Sequence, residues 1–196
     1  MTLLTFLVAG YSLLALPGPT NTLLATSGAG AGFSRSLPLL AAELCGYLAA
    51  IALLRLFLGP FVVDSPIAGV ILRTVVTVYI LYQAALLWRG GSCEPSNGRA
   101  VTFGQVLLTT LLNPKATIFA FLLLPPQAGP LELASWLALI SFQVVTAGAA
   151  WLAVGVVLGR GVRRSAQPRL VNRVGAFALV AVSGLVWLQS PGSALL

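Results

Sequence analysis

The chain of 196 residues is 58% apolar and only 8% charged, with a mean hydropathy of +0.98 and a formal net charge of +7. An ordinary soluble domain carries about a quarter of its residues as charged groups, so this composition excludes a water-soluble protein. It also leaves no polar stretch from which a soluble catalytic domain could be built.

Six apolar stretches of roughly 20 residues follow one another, near residues 3–28, 37–58, 67–88, 103–127, 133–158 and 172–190. Each is about long enough to cross a hydrocarbon core of ~30 Å. The expected fold is therefore an all-α integral membrane domain covering residues 1–196, with six transmembrane helices and short connections. In the first stretch Ala29-Gly30-Ala31 imitates a signal-peptide cleavage site, but Met1 to Ala15 carries no Lys or Arg, and the expectation is a retained first span. That span is interrupted. Its leading run, residues 3–16, covers only ~21 Å at 1.5 Å per residue, which places Pro17-Gly18-Pro19 inside the membrane.

The second stretch holds Glu43, the only acid well inside any span, together with Tyr47 one turn later. It also contains Cys45, for which a disulfide with Cys93 in a connecting loop is not expected. Tyr79, Tyr82 and Gln83 lie in the third. In the fourth, the run Val101 to Leu112 is again too short to cross before Asn113-Pro114-Lys115 breaks it, and Ala116 to Leu124 continue. Gln143 and Thr146 mark the fifth. Gly28, Gly30, Gly32, Gly155 and Gly159 read as close helix packing, and such small-residue faces would permit a homodimer.

The positive charge does not point to nucleic acid, because it falls in alternate loops. Arg35, then Arg89 and Arg99, then Arg160, Arg163, Arg164, Arg169 and Arg173 lie in or beside the odd-numbered connections, whereas the others carry Asp64 and Glu132. The positive-inside rule puts the Arg-rich loops in the cytoplasm and both termini outside. Arg55 and Arg73 lie near the outer loop and read as snorkelling cations that pair with Asp64.

Laid over each other with Pro19 on Pro114, the two breaks read PGPTNTLL and LNPKATIF and share Thr22 with Thr117. The first three spans begin outside and the second three inside, so the expected organisation is two inverted repeats, about 1–90 and 101–192. Asn113 is a favoured helix cap and Pro114 suits a first helical position; Pro19 likewise starts a half-helix carrying Thr20, Asn21 and Thr22. Two half-helix N-termini meeting near the midplane suit a carboxylate, and Lys115 adds a full positive charge. The alternative is that the prolines only bend the spans and Lys115 snorkels.

Pro17-Gly18-Pro19, the glycine-rich exit Gly28 to Phe33, Tyr79-Ile80-Leu81-Tyr82 and Leu112-Asn113-Pro114-Lys115 together resemble the LysE/RhtB amino-acid exporters. The resemblance implies substrate-binding roles for Pro17, Gly18, Pro19, Thr20, Asn21, Asn113, Pro114 and Lys115, with Tyr47 and Tyr82 lining the cavity. It also implies proton-driven export of an amino acid or similar zwitterion from a bacterial inner membrane. One departure is visible. Relatives often place an acid directly after the second glycine of span 2, where this chain has Gly46-Tyr47, and its acid is Glu43, one turn earlier. Glu43 is thus a candidate proton carrier or ammonium partner, its alternative being a structural pairing with Arg35. An enzyme is not expected: there is no His, and no paired carboxylates stand within the spans. No cofactor or metal site is expected, and a channel or a metal-ion exporter of related architecture remains the alternative function.

Overall fold

The computed structural model describes residues 2–60, 65–89, 100–125 and 128–159, with Phe177 and Val180 beyond them. The described elements are helical throughout. Helix α1 (Leu3–Ala15) starts on Thr2, whose hydroxyl accepts the Thr5 N–H at 3.3 Å. It stops because Leu16 precedes a proline, which disfavours the α region; Leu16 is extended at φ −64°, ψ 128°. Pro19 then opens α2 (Pro19–Ala31) at a position where its missing N–H costs nothing, and the chain turns by 64° between the two helices. Gly32, at φ 85°, ends α2 in a conformation that favours glycine.

The short α3 (Phe33–Ser36) and α4 (Pro38–Phe57) form one apolar stretch of 25 residues from Phe33 to Phe57. Helix α5 (Pro66–Trp88) occupies the third expected span. Thr102 and Gln105 close a reciprocal capping box at the start of α6 (Phe103–Leu111). After a 45° bend, α7 (Pro114–Ile118) runs into a π-helical segment, Phe119–Leu123. Helix α8 (Pro130–Gly159) is 30 residues long, about 45 Å, and exceeds the hydrocarbon thickness without a break.

Among the described residues, two helices are long and apolar enough to cross a membrane, up to four if each bent pair is one span. The sixth expected stretch lies outside the described residues apart from Phe177, whose ring meets Trp88 edge-on at 5.6 Å, and Val180.

The helices approach one another through glycine. A Cβ on Gly28 would overlap the Leu152 carbonyl, one on Gly155 the Ala25 carbonyl, and one on Gly159 would sit 2.7 Å from the Ala29 carbonyl. Helices α2 and α8 therefore touch backbone to backbone. Gly46 of α4 meets Thr110 of α6 in the same way, at 2.7 Å from its Cβ. Gly30, by contrast, has no close neighbour, and Gly32 serves conformation rather than packing. The outer surface is apolar: Leu4, Leu56, Ile67, Leu112, Leu131 and Phe142, spread over several helices and a helix end, are all more than 60% exposed. Lipid is the solvent in which such a surface carries no penalty.

Candidate functional site

Breaking a helix inside an apolar interior leaves backbone carbonyls without donors, and the protein's polar residues gather to serve them. Pro17 and Pro19 lack the N–H groups that a continuous helix would have offered to Leu13 and Ala15. Asn21 turns back from α2 and donates Nδ2 to both Leu14 O and Leu16 O, each at 2.8 Å. Trp151 of α8 donates its indole N–H to Leu14 O at 3.2 Å, and Lys115 donates Nζ to Leu16 O at 2.6 Å. Gly18 lies beside the lysine, where a Cβ would stand at an ordinary contact distance of 3.6 Å from Cε and Nζ.

The second break is bound to the first. Asn113 caps α7 by accepting the Lys115 N–H at 3.0 Å, while its Nδ2 donates to Thr20 Oγ1 at 3.2 Å. The Thr20 and Thr110 hydroxyls pair at 3.2 Å. Thr20, Asn21, Thr110, Asn113 and Lys115 are all buried, so the two proline breaks form one polar knot within an apolar bundle. Lys115 does not snorkel: its ammonium is turned into the protein toward Leu16 O, and the residue is only 7% exposed.

Glu43 lies in the same interior. It is 1% exposed, and its Oε2 accepts no hydrogen bond among the described residues. The carboxylate presses on Gly148 of α8, where a Cβ would overlap it. Tyr47 is fully buried one turn on; its ring meets Phe119 edge-on at 6.0 Å and its hydroxyl also has no partner. Arg35, the structural partner considered for Glu43, is exposed. Leaving a buried polar group unpaired costs about 1–3 kcal/mol, so two together mark a place kept for something other than packing.

Of the residues expected at the site, Pro17, Gly18, Pro19, Thr20, Asn21, Asn113, Pro114 and Lys115 come together at the two breaks, with Glu43 and Tyr47 in the same interior. Tyr82 does not join them, being 58% exposed on α5. The side chains of Tyr79, Gln83 and Arg73 lie outside the described residues. Gln143 is buried and donates Nε2 to Leu7 O at 2.9 Å, across the space left by Gly10. Thr146 pairs with Tyr11 OH at 2.9 Å, on the lip of an open groove of about 490 Å³ bounded by Ala15, Ala147, Ala150, Trp151 and Val154. Arg55 turns inward and donates to Ala120 O at 3.3 Å and Pro125 O at 3.0 Å, holding the end of the π-helical segment. Asp64, its expected partner, lies outside the described residues.

Three contributors escaped the sequence: Trp151, Thr110 and Gly148. Nothing local to Trp151 or Thr110 names the carbonyl or hydroxyl it meets, and nothing local to Gly148 announces a carboxylate brought to it from over 100 positions away.

No protein-family model, curated protein or solved structure matches the chain. The functional reading therefore rests on the residues themselves and on the class that this site defines, a buried polar centre at paired breaks in apolar helices.

Proposed function

We propose that the chain is a six-span secondary exporter of amino acids or similar small zwitterions, of the LysE/RhtB type, coupled to the proton gradient of a bacterial inner membrane. The observation that carries this reading is the joining of two proline-broken helices through Lys115, Asn113, Thr20 and Asn21, with a buried, unpartnered Glu43 beside them. Broken helices at depth are how secondary transporters expose backbone dipoles and charges to a substrate without unsatisfied groups facing lipid. On this reading, Lys115 and the α7 start receive the substrate carboxylate. Glu43 takes up a proton on one side and gives it up on the other. The two breaks belong to inverted repeats of about 1–90 and 101–192, with both termini outside.

The test is transport by the purified protein in proteoliposomes, using a panel of radiolabelled amino acids with empty vesicles as control. Saturable counterflow of at least one amino acid, and its uphill movement when a proton gradient is imposed, are expected. Flux that does not saturate and ignores the gradient would identify a channel instead.

A further inference from the structure

The end of α1 presents an arrangement that the exporter reading leaves unused. Leu14 O and Leu16 O are buried carbonyls at the C-terminus of a 13-residue helix, where the peptide dipoles sum to about half a negative charge. Three donors converge on them: Asn21 Nδ2, Trp151 Nε1 and Lys115 Nζ. The first two are neutral and sit on α2 and α8. The third is a cation delivered from the other broken helix on a flexible stem.

We propose that the Leu14 and Leu16 carbonyls form a binding site for a primary ammonium group, and that Lys115 occupies it here as a tethered stand-in for the ammonium of the substrate. The proposal rests on the exporter reading for the identity of that substrate and names its class, an α-amino acid zwitterion. When such a molecule enters, its carboxylate draws the Lys115 ammonium off Leu16 O and its own ammonium takes the vacated carbonyl. One cation replaces another at the end of α1, and Lys115 exchanges a carbonyl for a carboxylate. At no stage does a bare charge remain in the apolar interior, which is what makes the exchange feasible at this depth. A simple amine cannot displace Lys115, because it brings nothing for the lysine to bind. A simple carboxylate leaves the α1 carbonyls without their cation.

Lys115→Ala removes a propylammonium's worth of side chain, so n-propylammonium is the matched probe. The full-length variant and the parent protein are purified into lipid nanodiscs and unfolded by heat with n-propylammonium, 1-propanol or propionate at tens of millimolar. The expected result is a rise of several degrees in the unfolding midpoint of Lys115→Ala with n-propylammonium only, and none for the parent protein, whose site is filled. Equal effects of n-propylammonium and 1-propanol, or no effect of either on the folded variant, overturn the proposal. Should Lys115→Ala not fold, the parent protein supplies the second measurement. Any amino acid that it counterflows should be competed by the zwitterion and at least tenfold less well by the corresponding amide, which keeps the ammonium but lacks the carboxylate; equal competition by the amide also overturns it. Rescue by n-propylammonium without amino-acid transport would leave the site standing and remove the exporter reading, whereas transport without rescue or discrimination would do the reverse.

Discussion

Gly148→Ala separates the placement of Glu43 from the packing of the bundle. A Cβ at residue 148 overlaps Glu43 Oε2, stands 2.8 Å from Leu40 Cδ2 and lies at an ordinary 3.4 Å from Leu24 Cδ1. Both close neighbours are ends of flexible side chains, so the new methyl displaces the carboxylate and the Leu40 methyl rather than forcing α8 away from α4. Overpacking costs about 1–3 kcal/mol, and replacing a helical glycine returns about 0.5–1 kcal/mol. A net loss of about 0–2.5 kcal/mol corresponds to an unfolding midpoint lower by at most about 10 °C in a chain of this size. Gly155→Ala is the control, since its Cβ meets the Ala25 backbone, which cannot withdraw without parting α2 from α8. That variant should lose about 3 kcal/mol or more and give little folded protein. Gly148→Ala, folded and inserted, should show proton-driven uphill transport reduced at least tenfold in inside-out vesicles. Thermal unfolding and transport on the same preparation make the comparison. Normal uphill transport with normal pH dependence in Gly148→Ala would mean that the position of the Glu43 carboxylate is immaterial, and the argument from its burial would fail.

Glu43→Gln keeps the shape of a neutral carboxyl but cannot release a proton; it should abolish uphill transport and its pH dependence while sparing counterflow without a gradient, and unchanged uphill rates would remove Glu43 from coupling. Lys115→Ala should raise the apparent Km for substrate at least tenfold, and Lys115→Arg should retain only part of the activity because the planar guanidinium does not fit the compact contact with Leu16 O; an unaltered Km in Lys115→Ala would place the carboxylate site elsewhere. Cysteines introduced by Ser193→Cys and Ser165→Cys in a background lacking Cys45 and Cys93 should be labelled from outside and from the cytoplasm respectively, and the opposite pattern would invert the topology.

The breaks were legible because proline writes its effect locally. A run too short to cross, followed by Pro17-Gly18-Pro19 or Asn113-Pro114, fixes both the end of one half-helix and the start of the next, and the observed bounds at Ala15, Pro19, Leu111 and Pro114 agree closely. The close packing at Gly28, Gly155 and Gly159 was legible for a similar reason, since a small residue in a span has few uses besides approach. The partners were not. Lys115 and Leu16 are 99 positions apart, and a backbone carbonyl leaves no mark in the sequence, so the lysine read only as a charge in need of a counterpart. Tyr82 failed in the opposite sense. An amphipathic ring in a span has the same composition whether it faces a cavity or lies on the surface, and only the rotation of α5 decides that it is exposed.

The same distinction bears on how the site works. If each break were bonded only within itself, the two halves of the molecule could move independently and nothing would link a substrate at one to a change at the other. Instead, Thr20 of the first break accepts from Asn113 of the second, and Leu16 of the first accepts from Lys115 of the second. Neither broken helix can shift by as much as a hydrogen-bond length without exposing an unpaired buried group, at about 1–3 kcal/mol each. A substrate that replaces these contacts with its own carboxylate and ammonium removes that penalty only while it is bound. If the chain is an exporter, the knot supplies what coupling needs, a differential interaction between two arrangements that a ligand selects.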